Sequence, residues 1–380
     1  MNMLMLTMRR VNLPKRFPAT LSKTSRGFTL VELLVVLTIF LLVSAIALPT
    51  FRTLISDQKV SQSSRTIVAY LDEARSRAIS EGRFVGVRIE RFDTIAAVNF
   101  QTAAGVRLRQ LMGVPPYTGE AADAKVKFIY PTPGATTATL EFTGVHNQML
   151  VLYTDSNSAL YNNDYSAPIK NGDLIELPGG RYFRLTFTGY NSTTDTVSAT
   201  IDLNSPLSGS NTFPVIHQPV DNASVSYRIH RSPAVSTSKS LTFPRGIVID
   251  TTYSGIGIDG NHFAPQGSAP NQPIDIVFGP DGRVETASLD ALGNRTIPSG
   301  LIFLCVGDSD GVQPATPFNA ANRDPANLMT SDSTWIVINP TTGRSVVAPN
   351  ASVSTTSSMS AALRQARSLA ILSDTLDATP

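Results

Sequence analysis

Arg26-Gly27-Phe28-Thr29-Leu30-Val31-Glu32-Leu33-Leu34 opens an apolar run that continues to Leu48 and holds one ionisable side chain, Glu32. At ~1.5 Å per residue, residues 28–48 reach across the ~30 Å of hydrocarbon in a bilayer. The hydroxyls of Thr29, Thr38 and Ser44 can return to the helix backbone. Glu32 cannot do so cheaply, because an unpaired carboxylate in hydrocarbon costs at least ~2.5 kcal/mol. Its position therefore calls for a partner inside the membrane.

Charge supports a membrane segment with a defined orientation. The chain of 380 residues has a formal net charge of +2. Residues 1–27 hold Arg9, Arg10, Lys15, Arg16, Lys23 and Arg26 and no acid. Without those six of the 31 basic residues, 25 remain against 29 acidic ones. The body is mildly acidic, which argues against nucleic acid as a general partner. The basic cluster places residues 1–27 in the cytoplasm and the long remainder across the membrane. A single cysteine, Cys305, rules out an intrachain disulfide, and its apolar neighbours Leu304 and Val306 predict a buried side chain.

Beyond Pro49 the pattern becomes striped. Val60, Ile67, Leu71, Ala74 and Ala78 fall on one helical face, with Asp57, Lys59, Arg65, Asp72, Glu73, Arg75 and Arg77 between them. Gly82 is a helix stop. The spacing predicts one helix from about Phe28 to Glu81, kinked at Pro49.

Gly27-Phe28-Thr29-Leu30-Val31-Glu32, the apolar run and Pro49 together resemble the signal and helix of type IV pilins and type II secretion pseudopilins. The resemblance implies an α+β fold, with a long N-terminal helix packed on a mostly antiparallel β domain. It also implies cleavage between Gly27 and Phe28 by a prepilin peptidase/methyltransferase and N-methylation of Phe28. Glu32 is then the assembly glutamate, and Pro49 the helix kink. Implied partners are other pilin or pseudopilin subunits and inner-membrane lipid. The implied location is the bacterial inner membrane, single-pass, with a periplasmic C-terminal domain. Cleavage would remove the cytoplasmic charges that anchor the span and create the amine of Phe28, which could pair with Glu32 of a neighbouring subunit.

Ala74-Arg75-Ser76-Arg77-Ala78-Ile79 followed by Arg83-Phe84-Val85-Gly86-Val87 resembles the helix end and first strand of the GspH/FimT minor pseudopilins. Ile274–Arg283 and Trp335–Arg344 are similar to that family's paired C-terminal strands, while material around residues 100–240 is extra. The expected organisation is a leader at 1–27, a transmembrane half-helix at 28–50 and an amphipathic half at 51–82. A β-rich domain follows at 83–350, and a polar tail with a short helix at 351–380.

Strand-like runs include Phe84–Ile89, Lys125–Tyr130, Thr137–Phe142, Leu150–Tyr153, Tyr182–Phe187, Ser224–Ile229 and Ile274–Phe278. Residues 154–178 and 190–222, rich in Ser, Thr, Asn, Asp and Gly, read as surface loops. The tail offers a helix at Ala361–Leu372 bearing Arg364 and Arg367.

Catalytic patterns fail on context, so the chain reads as no enzyme and calls for no cofactor. Gly307-Asp308-Ser309-Asp310-Gly311 matches a nucleophile elbow, but no helix start and no histidine follow it. Asp308 and Asp310 offer a weak calcium motif lacking its closing glutamate. Gly255-x-Gly257-x-x-Gly260 lacks the helix that a dinucleotide cradle needs. His146, His217, His230 and His262 show no ligand spacing. The expected function is a minor pseudopilin of a type II secretion or pilus-like filament. The alternative is a FimT-like pilin binding DNA for uptake, suggested by the helix end, Arg364 and Arg367.

Overall fold

A computed structural model describes residues 29–129, 136–162, 167–203, 224–237, 240–267, 270–314, 325–353 and 358–377. The side chains of 46–57 and 373–377 lie outside that description. The chain divides into two units, Met1–Thr53 and Leu54–Pro380. Helix α1 is Leu30–Glu81. The expected kink at Pro49 falls in the segment whose side chains are not described.

In the second unit the apolar stripe of α1 is buried as its spacing predicts. Val60, Ile67, Leu71, Ala74 and Ala78 are each at most 2% exposed. Ser64 joins that face, its hydroxyl donating to Val60 O at 2.9 Å and sharing a hydrogen bond with Thr334 Oγ1 at 2.6 Å. Gly82 ends the helix with φ +62, and Arg83 N donates back to Ala78 O at 3.3 Å. That bond spans six residues and satisfies a carbonyl that the helix end leaves orphaned.

Strand β1 (Val85–Arg91) and strand β2 (Ala104–Met112) form an antiparallel pair, joined through the short helix α2 (Phe100–Ala103). Alternation sends Val85, Val87 and Ile89 into the core with the α1 stripe and leaves Arg88 on the other face. The chain then leaves this sheet to build a separate β unit. It contains β3 (Val126–Ile129), β4 (Thr137–Thr143), helix α3 (Gln148–Thr154), β5 (Leu174–Leu177), β6 (Arg181–Arg184), β7 (Thr186–Asn191), β8 (Thr196–Asp202), β9 (Ser224–Val225) and β10 (Arg228–His230). Two sheets, β7-β8-β4-β3-β9 and β10-β5-β6, enclose their own core around Phe128, Leu140, Phe142, Phe183, Val197 and Ile229.

The return strand β11 (Ala234–Val235) pairs Ala234 with Met112, the residue at which β2 ended. Strands β12 (Leu241–Thr242), β13 (Ile247–Ile256), β14 (Ile274–Phe278), β15 (Val284–Ser288), β16 (Arg295–Thr296), β17 (Ile302–Asp308), β18 (Thr334–Ile338) and β19 (Ser345–Pro349) complete an eleven-stranded sheet. Its main path is β16-β15-β14-β1-β2-β13-β17-β18-β19. The described pairings are antiparallel, so the molecule has the expected α+β class. The stretches from Ile274 and Trp335 each begin a hairpin of their own, β14–β15 and β18–β19, rather than pairing with each other. The hairpins do meet at their ends, where Val284 N donates to Pro340 O at 2.9 Å and Arg75 of α1 donates to Gly282 O at 3.1 Å.

Five local expectations are corrected. Leu150–Tyr153 lies in helix α3, because the Glu120 carboxylate accepts from Gln148 N at 2.9 Å and Met149 N at 3.0 Å. An acid at a helix start satisfies free N–H groups and favours the helix dipole. The loop assigned to 154–178 contains β5, and that assigned to 190–222 contains β8, whose Val197, Ala199 and Ile201 alternate into the core. The Tyr182–Phe187 run breaks at Leu185, whose N–H donates to Asp173 O instead. The tail is two helices, α4 (Met359–Ala366) and α5 (Ser368–Asp377), and Ala362, Leu363, Ala366 and Ala370 pack with Phe303 and Trp335.

Candidate functional site

Gly27 and Phe28 lie outside the described residues, so the proposed cleavage site has no described geometry. The structure begins at Thr29, and there it changes the reading of Glu32. Thr29 N donates to Glu32 Oε2 at 3.1 Å, and Thr29 Oγ1 donates to the same oxygen at 3.2 Å. In return Glu32 N donates to Thr29 Oγ1 at 3.2 Å. Thr29 and Glu32 form a reciprocal capping box at the first turn of α1. The sequence carries this signature as Thr29-x-x-Glu32, at the edge of the apolar run. The carboxylate therefore has an intrachain partner, and it also sits where the helix dipole favours negative charge.

The positions after Glu32 are apolar and exposed on every side. Leu30 is 82% exposed, Phe40 68% and Leu42 66%. Thr38 Oγ1 donates to Val35 O at 2.8 Å, returning its hydroxyl to the helix as expected. Among the described residues no helix is long and apolar enough to cross a membrane. The described side chains of this run end at Ala45, short of the 28–48 span assigned from sequence.

Residues 22–48 match the family model of the prokaryotic N-terminal methylation motif. The chain carries the prokaryotic N-terminal methylation motif. The match supports a subunit of the type IV pilin and pseudopilin kind, anchored through its N-terminal helix, processed by a prepilin peptidase and assembled with other pilin subunits. Comparison with curated proteins and with solved structures returns no match. The matched residues include Gly27, Phe28 and Glu32 and end just before Pro49.

Elsewhere in the chain, the lettered motifs take structural roles. Asp308 caps the short 3₁₀ turn Ser309–Gly311, its Oδ1 accepting from Asp310 N at 3.0 Å. Among the described residues no group of three or more His, Cys, Asp or Glu side chains could hold a metal, so Asp308 and Asp310 gain no further ligands. Among the described residues a 3₁₀ turn, not an α-helix, directly follows β17, so the nucleophile-elbow geometry around Ser309 is missing. His230 Nε2 lies 3.0 Å from Glu176 Oε2, His146 lies 4.0 Å from Asp123, and His217 is outside the described residues. Cys305 is buried, and burial pushes its thiol well above the usual range.

Gly257 and Gly260 invert the dinucleotide pattern. A phosphate cradle offers N–H groups, whereas here the carbonyls of Gly257 and Gly260 accept from Arg367 Nη1 at 2.7 and 3.0 Å. Arg367 also donates to Tyr253 O and lies over the rings of Phe303 and Trp335, 4.5 and 4.8 Å from their centroids. It is fully buried, and burial lowers its pKa to about 9. Arg364 pairs with Asp259 at 2.6 Å, and this hydrogen bond holds the carboxyl of Asp259 below its ordinary range. Arg367 is therefore a fastener for the tail, and the pair suggested for DNA contact is reduced to one paired arginine.

Proposed function

We propose that this chain is a structural minor pseudopilin of a type II secretion or type IV pilus-like filament. A prepilin peptidase cuts it after Gly27 and methylates the new N-terminus at Phe28. Residues 28–50 hold it in the inner membrane, and residues 51–82 carry the β domain outside. The observation that supports this reading is the methylation motif laid across the start of α1, with Glu32 in the first helical turn.

The capping box gives assembly a physical sequence. Before assembly, Thr29 satisfies Glu32 within its own chain. After cleavage, the amine of Phe28 in an adjacent subunit offers a full positive charge instead of neutral donors, and charge-assisted hydrogen bonds are the stronger kind. Cleavage also removes the six basic residues of the leader. The GspH/FimT likeness of the helix end makes a minor position in the filament the favoured one.

N-terminal sequencing of membrane-extracted protein should find methyl-phenylalanine at position 28. An N-terminus near Thr50 would overturn the proposal in favour of ordinary signal-peptide cleavage. Glu32→Gln keeps a capping side chain but removes the charge, whereas Glu32→Ala removes both. Both variants should still be cleaved and both should fail to enter filaments, as read by shearing and immunoblot. Normal incorporation of Glu32→Gln would show that capping, not charge pairing, is what assembly needs.

A further inference from the structure

The outer face of the main sheet, opposite α1, meets the inserted β unit in a polar cleft of about 530 Å³. Its floor carries Arg88 of β1, Asp275 of β14, Ser288 of β15 and Arg295 of β16, and its far wall carries Lys170 and Arg231. Four cations thus face one carboxylate. Asp173 behind the wall and Glu285 in the adjoining hollow still leave the cations in the majority. A cleft of a few hundred Å³ at the junction of two structural units is the usual setting for a ligand site.

The three arginines are held in place. Arg88 engages Asp275 through Nε and Nη2, at 2.7 Å each, and its Nη1 has no partner among the described residues. Ser288 Oγ accepts from Asp275 N at 2.9 Å, leaving its own O–H to donate. Arg231 is fixed by Pro115 O at 2.9 and 3.2 Å. Arg295, only 6% exposed, donates from the main sheet to the carbonyls of His230 and Arg231 at 3.1 and 2.9 Å. Those bonds fasten one wall to the other, so the positive concavity exists before any ligand arrives. Pre-organised donors of this kind bind carboxylates with little further ordering.

We propose that this cleft binds a carboxylate-bearing peptide segment of a partner protein, with Arg88 and Arg231 as its main anchors. The walls also present Pro168, Pro233 and Pro273, apolar surfaces without N–H groups, against which a peptide backbone can lie. The body around this island is acidic, so recognition rests on the few short-range donors of the cleft, which suit a single carboxylate better than the repeated phosphates of a nucleic acid. The proposal stands independently of the reading of the N-terminus, since binding is measured on the chain whether or not it is cut.

The test uses the full chain in detergent and a short fluorescein-labelled oligoglutamate peptide, read by anisotropy. Equal-length oligolysine and single-stranded oligonucleotide probes run beside it. The glutamate peptide should bind saturably, and Arg231→Glu and Lys170→Glu should each weaken it at least ~10-fold. Arg283→Glu, an exposed charge reversal on the β14–β15 turn, should leave it unchanged. Thermal melts of all three variants guard against misfolding. Should one cleft variant melt early, the other still decides. Absence of binding, indifference to both cleft reversals, an equal loss in Arg283→Glu or tighter binding of the oligonucleotide would each overturn the proposal.

Discussion

Asp250 is a carboxylate with no cation beside it among the described residues. It is fully buried, its oxygens accept from Thr252 N and Asn327 Nδ2 at 3.0 Å each, and burial raises its pKa to about 6. The native state then holds a proton on Asp250 at pH values where the unfolded chain, near pH 4, has released it. Stability falls with pH wherever the native state binds the extra proton. This group should therefore remove roughly 2–3 kcal/mol of stability between about pH 4 and pH 7. Denaturant melts across that window should show this downward slope in the parent chain relative to Asp250→Asn. Identical slopes would mean that the burial of Asp250 is relieved in solution.

Arg367 makes the opposite bargain, a cation held by carbonyls and aromatic faces alone. Arg367→Ala would leave the carbonyls of Tyr253, Gly257 and Gly260 without their donor and open a gap over two rings. The expected loss is about 3 kcal/mol, with the tail becoming open to proteolysis. Arg367→Lys should recover only part of it, since one ammonium cannot span the planar fork that three carbonyls need. An unchanged melting temperature in the alanine variant would refute the role given to this residue.

At the scale of elements, periodic apolar segments were legible and polar or remotely capped ones were not. The α1 stripe and β14 (Ile274–Phe278) follow from spacing and from an apolar run broken only by Asp275, signals carried by the residues themselves. Helix α3 was misread because its apolar run is short, and the acid that caps it, Glu120, is 28 residues before Gln148. Strand β8 was missed because Thr and Ser hide the alternation of Val197, Ala199 and Ile201 inside a polar composition. The contact between the two outer hairpins could not be read at all, because it joins turns far apart in sequence. It is testable through glycine. A Cβ on Gly343, at φ +66, would lie 1.9 Å from Gly282 O, whereas on Gly180, at φ +68, it would meet nothing within 4 Å. Gly180→Ala should cost about 1 kcal/mol for its backbone alone, and Gly343→Ala distinctly more. Equal shifts in melting temperature would show that the hairpins do not press together.

Over the whole molecule, the candidate site divides in the same way. Glu32 was legible because a charge in an apolar run is conspicuous, while its partner Thr29 looked ordinary. The cleft was not legible: Arg88 and Asp275 are 187 positions apart, and only the fold brings them together. The inserted unit leaves and rejoins the main sheet at paired residues, Met112 and Ala234. Replacing 114–232 with a short glycine turn should therefore leave the remaining sheet folded. Arg295 would then reach solvent, which limits the loss of its two insert carbonyls. The single tryptophan, Trp335, fully buried beside the tail, should keep its blue-shifted emission and a cooperative melt. Red-shifted emission in the native buffer would show that the sheet depends on the insert.

The same pairing sets a clock. Strand β2 is made early, yet the strands that flank its second edge are synthesised only after the ~120 residues of the insert. At ~5–20 residues per second that edge waits for roughly 6–24 s. By the end of that interval the inserted unit can close on its own core, while β2 has offered an open row of N–H and C=O groups throughout. The hazardous species in the life of this protein is thus a nascent chain with its insert finished and its main sheet half built.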